Sequence, residues 1–281
     1  MSLPLISVVV PTLNQASFIE QTLASIVGQN WPRTEIIVID GGSTDGTREV
    51  VQKYPVTHFI SELDRGQADA INKGMRLAKG EILAWLNSDD YYLPLAFARV
   101  AEALKDTGRP QLVYGGCLLL FEQEQTARVD AAQPFDREKL TRGDTIHQAA
   151  TFWTRALWEA TGELTPEHHF ILDWEWWLRA SEHGELRPIE PLLAVYRFHG
   201  AHKSGSANPR RVQEILGLVE RHATREWQEI FHAVAERLPG LIASWERFAK
   251  NGGYRWHKLR HLDLYLRYGE KVNAAFWQLH V

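Results

Sequence analysis

Glu35-Ile-Ile-Val-Ile-Asp-Gly-Gly-Ser-Thr-Asp-Gly46 joins a run of β-branched residues directly to a turn rich in glycine and aspartate. Such a run, ended by a turn signal, predicts a buried parallel strand rather than a helix. A second run of this kind, Ile6-Ser-Val-Val-Val10, ends at Pro11. Between the two runs, residues of the segment 17–28 recur at helical spacing. Residues 6–40 therefore predict a β-α-β unit.

The same alternation continues along the chain. It predicts helices near 45–53 and 67–78, and strands at 58–61 and 81–86. Strands and helices that alternate in this way indicate an α/β fold, in which helices cover the faces of a sheet.

Composition excludes several other classes of protein. Of the 281 residues, 44% are hydrophobic and 23% are charged, which excludes wholesale disorder. The single cysteine, Cys117, excludes a disulfide framework, and we expect it to be a buried core thiol. The apolar run Leu5–Val10 is far shorter than the ~20 residues of a spanning helix. We therefore expect neither a signal peptide nor a transmembrane segment, and a cytoplasmic location.

Charge is distributed unevenly. The net charge of −4 gives no reason to expect a nucleic acid partner. Residues 210–281, however, hold twelve Lys and Arg against eight Asp and Glu. Apolar residues at helical spacing predict two helical stretches here, the second from about 256 to 279. Their aromatic and basic residues are typical of a peripheral contact with an anionic membrane, but also of helices that pack on the rest of the protein or on another subunit.

Polar residues directly follow each of the four predicted strands. The segments are Pro11-Thr-Leu-Asn14, Asp40-Gly-Gly-Ser-Thr-Asp-Gly46, Glu62-Leu-Asp-Arg-Gly-Gln67 and Asn87-Ser-Asp-Asp90. Ligands of α/β sheets bind outside the carboxyl ends of the strands. The sequence therefore predicts one acidic, glycine-containing site.

Two of these segments allow a structural interpretation beside the functional one. Asp40 and Asp45 can accept hydrogen bonds from a base or a ribose hydroxyl, or form a turn followed by a helix cap. Asp89 and Asp90 are adjacent acids whose oxygens favour Mg²⁺ or Mn²⁺, or they belong to a helix N-cap cluster.

In order and spacing, four segments resemble the family 2 glycosyltransferases. They are Ser7-Val-Val-Val-Pro-Thr-Leu-Asn14, Ile39-Asp-Gly-Gly-Ser-Thr-Asp-Gly-Thr47, Ser61-Glu-Leu-Asp-Arg-Gly-Gln-Ala-Asp-Ala-Ile-Asn-Lys-Gly74 and Gly80-Glu-Ile-Leu-Ala-Trp-Leu-Asn-Ser-Asp-Asp90. The resemblance is specific over residues 5–95 and looser to about 205. It implies a GT-A fold, an α/β Rossmann-like mixed sheet with helices on both faces, plus a helical C-terminal region. It divides the chain into a nucleotide-sugar-binding half, 1–95, an acceptor half of the same domain, 96–208, and an extension, 209–281.

The resemblance also implies a donor site and a cofactor. The donor residues are Pro11, Thr12, Asn14, Asp40, Asp64, Arg65, Gln67, Asn87 and Ser88. Asp89 would hold Mn²⁺ or Mg²⁺, with Asp90 and His199 as further metal ligands. The family usually has an Asp-x-Asp signature, and Asn87 replaces its first acid with an uncharged amide.

The second half resembles the family at two segments. In His169-Phe-Ile-Leu-Asp-Trp-Glu-Trp-Trp-Leu-Arg179, Asp173 takes the position of the base that deprotonates the acceptor hydroxyl, and Leu172 replaces the usual preceding glutamate. A role for Asp173 as helix N-cap is compatible with this. Tyr196-Arg-Phe-His-Gly-Ala-His-Lys-Ser204 resembles a loop that closes over the donor diphosphate, in which Arg197 or Lys203 would neutralise charge.

The candidates for the acceptor side are Trp174, His147 and Gln148. Trp174, Trp176 and Trp177 cannot all face one way on a helix, so at least one belongs to the core, and Trp174 is our candidate for stacking on a sugar. His147 and Gln148 precede a segment that the family uses near its acceptor pocket, although His147 also fits a solvated loop.

The predicted function is an inverting, metal-dependent transferase. It would move a sugar from a nucleotide-diphosphate-sugar donor to a hydroxyl of a saccharide or lipid-linked saccharide acceptor, in polysaccharide or glycolipid biosynthesis. The alternative is a catalytically inactive nucleotide-sugar-binding subunit, because Asn87 and Leu172 stand where the family usually has acids. A sugar-1-phosphate nucleotidyltransferase would need a glycine-rich basic loop after the first strand, which Pro11-Thr-Leu-Asn14 does not provide.

Overall fold

A computed structural model describes residues 3–200, 208–248 and 252–280 of the chain. The chain divides into two compact units, Met1–Phe135 with Ile146–His202, and Asp136–Thr145 with Lys203–Val281. Within the described ranges, no helix has both the length and the hydropathy that crossing a membrane requires.

The described part of the first unit contains one mixed sheet of nine strands. The strands are β1 (Ile6–Thr12), β2 (Thr34–Asp40), β3 (His58–Ser61), β4 (Ile82–Trp85), β5 (Tyr91–Tyr92), β6 (Gln111–Phe121), β7 (Thr126–Asp130), β8 (Thr151–Thr154) and β9 (Glu185–Phe198). Their order is β3-β2-β1-β4-β8-β6-β9-β5, with β7 paired to β6. Strands β1 to β4 are parallel to one another, whereas β8 is antiparallel to both β4 and β6.

The described residues of both units form helices. In the first unit they are α1 (Ile19–Val27), α2 (Thr47–Val51), α3 (Gln67–Leu77), α4 (Ala96–Ala103), α6 (Arg155–Thr161) and α7 (Leu172–His183). In the second unit they are α5 (Arg137–Leu140), α8 (Pro209–His222), α9 (Arg225–Arg247), α10 (Tyr254–Arg260), α11 (Leu262–Tyr268) and α12 (Lys271–His280). All seven residues of β1 are buried, which is what a parallel strand covered on both faces requires.

The strands predicted from the sequence are confirmed. The predicted strand at 58–61 coincides with β3, and β1, β2 and β4 differ from their predicted bounds by at most two residues. Helix α3 begins at Gln67 as predicted. Cys117 is fully buried in β6, which confirms the expected core thiol.

Helix α3 lies directly on β1 because residue 74 is glycine. A Cβ atom at Gly74 would lie 2.4 Å from Cγ1 of Val9. The close approach fixes the position of Gln67, the first residue of α3, beside the loops that follow the strands. At the other side of the helix, the Asn72 side chain exchanges two hydrogen bonds with the backbone of Leu164, at 2.8 and 3.0 Å.

The second unit corrects one prediction. The helical stretch expected from 256 to 279 is three helices, α10, α11 and α12. His261 departs from helical geometry with φ −122° and ψ 33°, and Gly269 adopts φ 60°. The second value lies in the left-handed region that glycine enters without strain, so Gly269 ends α11. Helix α5 also belongs to this unit, where the Arg142 guanidinium lies 4.8 Å from the ring centroid of Trp227.

Candidate active site

The carboxyl ends of the parallel strands meet at one edge of the sheet. The strand register pairs Thr12 with Asp40, and Asp40 with Ser61. The last residues of β1, β2 and β3 therefore lie side by side. Thr12 is buried, and among the described residues its hydroxyl has no hydrogen-bond partner. An unpaired buried hydroxyl at a strand end is available to a ligand.

The Asp40 carboxylate is held by hydrogen bonds from neighbouring residues. Its side chain is fully buried, and Oδ1 accepts hydrogen bonds from the backbone N–H of Ser43 at 3.0 Å and from the Ser43 hydroxyl. Oδ2 accepts from the hydroxyl of Ser61 and lies 3.4 Å from Nε of Arg48. These donors stabilise the carboxylate and fix the loop that follows β2.

Asn14 connects the first two loops. Its backbone N–H donates to the Ser43 hydroxyl at 2.7 Å, and its side-chain oxygen accepts from the N–H of Thr44 at 2.9 Å. Asn14 adopts φ 53°, a conformation that asparagine tolerates better than most residues. Pro11, the other predicted donor residue of this loop, is buried within β1.

The loop after β3 lies against the loop after β2. Asp64 Oδ1 accepts from the N–H of Gly66 at 2.8 Å, and a Cβ atom at Gly41 would lie 2.8 Å from Asp64 Oδ2. Arg65 bonds to Asp69 through its backbone N–H at 3.1 Å and its guanidinium at 3.2 Å. Burial alone would raise the pKa of Asp69, but these hydrogen bonds and the nearby Lys73 lower it.

The loop after β4 gathers several predicted residues. Gln67 Nε2 donates to Oδ1 of Asn87 at 2.8 Å, which joins two donor-site candidates. The Thr22 hydroxyl of α1 lies 2.9 Å and 2.7 Å from the carbonyl oxygens of Ser88 and Asp90. Helix α1 thus holds the backbone of this loop in place.

Asp89 and His199 are brought into contact. Asp89 Oδ2 lies 3.1 Å from Nε2 of His199, which directly follows β9. The imidazole also packs on the ring of Phe18, with centroids 4.3 Å apart. Two metal candidates of the sequence therefore form one pair, although 110 residues separate them. Phe18, which shapes the pair, carried no signal for this role in the sequence.

Asp90 links the loop to β9. Only 1% of Asp90 is exposed, and its Oδ1 accepts from the backbone N–H of Arg197 at 2.9 Å. Burial, together with the negative charge of Asp89, raises the pKa of Asp90 well above its usual value. The Arg197 guanidinium donates to Gln21 at 2.6 Å and lies over the ring of Phe18. The burial favours a positioning role for Asp90 over a direct contact with an ion.

Asp89 and His199 fit a metal site with few protein ligands. Within the described residues, no group of three or more His, Cys, Asp or Glu could hold an ion. Mg²⁺ at phosphate-binding sites usually has only one or two carboxylates, with phosphate oxygens and water as its other ligands. Asp89 and His199, one carboxylate and one imidazole in contact, fit a divalent cation shared with a phosphate ligand. Lys203, predicted to neutralise the same charge, lies outside the described residues.

Asp173 lies on α7, a helix that packs against the last residue of β4. The ring of Trp177 stacks on that of Trp85 in β4, with centroids 5.6 Å apart and planes 4° apart. Asp173 precedes Trp177 by four residues, so the two share a face of the helix. The N-cap of α7 is Ile171 rather than Asp173, whose Oδ1 accepts from the N–H of Trp174 at 2.9 Å.

The acceptor candidates have different surroundings. Trp174 is 3% exposed, and Trp176 and Trp177 are fully buried. This burial does not favour a sugar-stacking surface on Trp174, because a stacking ring needs a free face. His147 Nε2 lies 2.9 Å from Asp130 Oδ2, a partner that the sequence did not indicate.

Gln148 reaches the end of β4. Its Nε2 donates to the carbonyl oxygen of Trp85 at 2.8 Å, and it is buried. Its Oε1 has no hydrogen-bond partner in the part of the chain that the structure describes. Gln148 therefore lies with the converging loops, and its side-chain oxygen, Oε1, can accept a hydrogen bond.

The fold and the site together define a glycosyltransferase of the GT-A type. A mixed sheet carries a polar rim at its parallel strand ends, with an acid–imidazole pair after β4 and a further carboxylate on α7. The family model described as Glycosyl transferase family 2 matches residues 7–155. The chain belongs to this family.

A curated relative and solved structures agree with this assignment. A "PGL/p-HBAD biosynthesis glycosyltransferase" of Mycobacterium bovis (strain BCG / Pasteur 1173P2) is 29% identical over 210 residues, which cover 71% of this chain and 79% of the relative. The structure of S. aureus TarS 1-349 in complex with UDP-GlcNAc has a TM-score of 0.62 at 16% identity and covers 97% of this chain and 81% of that one. A further structure of S. aureus TarS 1-349 has a TM-score of 0.62 at 17% identity, and the match covers 78% of this chain and only 65% of that one.

A solved structure of a different protein has the same fold. The mannosyltransferase PcManGT from Pyrobaculum calidifontis, in complex with GDP-Man and Mn²⁺, has a TM-score of 0.60 at 23% identity. The match covers 99% of this chain and 86% of that one.

Proposed function

We propose that this glycosyltransferase is inverting and metal-dependent, and that it moves a sugar from a nucleotide-diphosphate sugar to a hydroxyl of a saccharide or lipid-linked saccharide. One observation carries the proposal. Two chemically different groups are tied to the end of the same strand, β4: the Asp89–His199 pair, and Asp173 on the helix that Trp177 anchors to Trp85. A transfer reaction needs such a division between the leaving diphosphate and the attacking hydroxyl.

The donor nucleotide would lie on the loops after β1, β2 and β3. The unpaired Thr12 hydroxyl can bond to the base, and Asp40 and Asn14 hold the loop backbones that surround it. The two solved relatives are complexes with UDP-GlcNAc and with GDP-Man. Both ligands are nucleotide-diphosphate sugars, which supports this class of donor for the present chain.

The diphosphate would lie beside Asp89 and His199. A divalent cation bound to this pair would offset the negative charge that develops on the departing diphosphate. Gln67 keeps the amide oxygen of Asn87 in a defined position next to the pair, at 2.8 Å from its own Nε2. Arg197 fixes the other end of the loop through Asp90.

Asp173 would act as the general base. As the acceptor oxygen forms its bond to C1 of the sugar, its proton passes to the Asp173 carboxylate, and the bond between C1 and the diphosphate oxygen breaks. One displacement of this kind inverts the configuration at C1 and needs no covalent sugar–enzyme intermediate. The Trp177–Trp85 stack holds Asp173 in place, so the base does not depend on a flexible loop for its position.

The donor can be identified by thermal denaturation with Mn²⁺. A ligand at 100 times its Kd stabilises the folded state by ~2.7 kcal/mol. We expect one or a few nucleotide-diphosphate sugars to raise the melting temperature, and more strongly with Mn²⁺ than with EDTA. Equal shifts with and without the metal would contradict metal-dependent donor binding.

The base is tested by Asp173→Asn, which keeps the size of the side chain but cannot accept the proton. We expect transfer to fall by ~10²–10⁴, with donor affinity and melting temperature unchanged. Glu175→Gln is the comparison in the same helix, since Glu175 bonds to Arg179 at 2.7 Å. A larger loss of transfer in Glu175→Gln, with the fold intact, would assign the base to Glu175 instead.

A further inference from the structure

Four exposed apolar side chains lie close together in sequence on α10 and α11 of the second unit. Eleven large apolar side chains are exposed among the described residues, and four of them lie within eleven positions of these helices. The four are Trp256 at 64%, Leu259 at 55%, Leu262 at 46% and Leu266 at 77% exposed. A cluster of this density on a surface marks an interaction site more often than chance exposure.

These four residues are arranged on the outer sides of their helices. Trp256 and Leu259 are three residues apart in α10, and Leu262 and Leu266 are four apart in α11, so each pair shares a face. The inner sides carry His257 and Leu264, which are buried. The exposed pairs are therefore not part of the core of the unit.

Other aromatic residues of this region have internal partners. The ring of Trp245 packs against that of Trp277 at 4.7 Å and against that of Tyr254 at 6.1 Å. These ring contacts show that Trp245, Tyr254 and Trp277 pack against one another within the protein, which is one of the two alternatives that the sequence allowed for aromatic residues here. Trp277 stays 39% exposed, and the more exposed side chains of the region are those of Trp256, Leu259, Leu262 and Leu266, which we call the four-residue face.

Arginines border this face. Arg255 adjoins Trp256, Arg260 adjoins Leu259, and Arg267 adjoins Leu266, and all three arginines are exposed. The single acid of α10 and α11 is Asp263. It is bonded to Arg237 of α9 at 2.5 Å, so its charge is balanced within the protein.

We propose that the four-residue face of α10 and α11 docks on an anionic membrane surface. A tryptophan and three leucines beside arginines match the pattern of helices that lie in the membrane interface, where the apolar residues enter the headgroup region. Arginine binds phosphate oxygens of lipid headgroups through two parallel hydrogen bonds. Each basic residue near an anionic surface contributes favourably to binding at low salt.

A second copy of the chain is a poorer occupant. In a two-fold symmetric dimer, each copy presents the same patch to the other. Arg255, Arg260 and Arg267 of one copy would then face the same three residues of its partner copy, and like charges across an interface oppose association. The charge of the patch therefore favours an anionic partner.

Vesicle flotation tests the proposal with the full chain and without donor or acceptor, so its result is independent of the proposed reaction. The probes are vesicles of 70% phosphatidylcholine with 30% phosphatidylglycerol, and vesicles of pure phosphatidylcholine. We expect at least tenfold stronger partitioning to the anionic vesicles at low salt, and a decrease in 0.5 M NaCl. Equal or no partitioning to the two kinds of vesicle would overturn the proposal.

Two variants connect the binding to the face. The double variant Trp256→Ser, Leu266→Ser should lower partitioning at least tenfold with an unchanged melting temperature, because both side chains are exposed. Leu3→Ser is the matched control, since Leu3 is an exposed leucine in the first unit, and it should bind vesicles like the parent. Equal binding by the double variant and the parent would overturn the assignment to this face.

A third measurement reports insertion and separates the two occupants. Leu266→Cys can be labelled selectively with an environment-sensitive dye, because the only native cysteine is buried. We expect a blue shift of the dye emission with anionic vesicles. Gel filtration that shows a dimer for the parent and a monomer for the double variant, without a vesicle-induced shift, would assign the face to self-association and overturn the membrane proposal.

Discussion

The end of β2 and the loop after β4 each carry an aspartate, but one of the two carboxylates is buried and the other is partly exposed. Asp40 ends β2 with its carboxylate buried and bonded to Ser43 and Ser61. Asp89 lies in the loop after β4, where its carboxylate is partly exposed and contacts His199. A buried acid whose hydrogen bonds come from the adjoining loop and from the neighbouring strand end stabilises the shape of the site. A partly exposed acid beside an imidazole can exchange that partner for a cation.

Between the two acids of this comparison, the larger effect on transfer is expected at Asp89. In Asp89→Ala the proposed cation would lose its carboxylate ligand, so we expect Mn²⁺-dependent donor binding to disappear and transfer to fall by ~10²–10³, the usual effect of removing one group that stabilises developing charge. Mn²⁺ titration of donor affinity and of initial rates measures both. The melting temperature should change little, because the side chain is partly exposed.

The comparison would fail if Asp89→Ala bound donor and Mn²⁺ as tightly as the parent. The diphosphate would then lie elsewhere on the rim. Asp89→Asn is a useful companion variant, because it keeps the hydrogen-bonding distance to His199 but removes the charge. An intermediate loss is expected for it.

Asp40 should show the reverse pattern, with stability as the main readout. Asp40→Ala leaves the buried N–H of Ser43 and the hydroxyl of Ser61 without their acceptor. Each buried donor left unpaired costs ~1–3 kcal/mol, so for two donors we expect the free energy of unfolding to fall by about 2–6 kcal/mol in urea denaturation. Unchanged stability with lost donor binding would mean that Asp40 contacts the ligand rather than supporting the loop.

The smallest effect is expected at Asn87. Asn87→Asp keeps the oxygen that accepts from Gln67 and adds a second negative charge near the Asp89–His199 pair. A partly exposed charge pair is worth up to ~1 kcal/mol, so Mn²⁺-dependent donor affinity should stay equal or increase by less than about tenfold. Weaker donor binding in this variant would show that the uncharged amide is needed where it stands.

Local sequence patterns were sufficient for the sheet core. The β-branched runs that became β1 and β2 are buried along nearly their whole length, and a pattern of this kind has few alternatives. The family membership predicted from the four strand-end segments is confirmed by the family model over residues 7–155. The roles assigned to individual site residues remain predictions that the variants above test.

Long-range contacts could not be derived in the same way. The pairing of Asp89 with His199 depends on β9 joining β5 and β6, and no local pattern encodes that placement. His147 likewise contacts Asp130 through the fold rather than through spacing. The burial of Trp174 reflects the aromatic packing of the whole α7 region, which helical spacing alone does not reveal.

The position of His199 at the end of β9 also has a consequence for the order in which the protein assembles during synthesis. The strands β1 to β4 lie within the first 85 residues and pair with one another, so this part of the sheet can begin to fold early. The 110 residues between Asp89 and His199 take on the order of 10 s to synthesise at ~5–20 residues per second. During that interval β6 lacks its parallel partner β9 and exposes an unpaired apolar edge. Completion of the Asp89–His199 pair therefore coincides with closure of the apolar edge of β6.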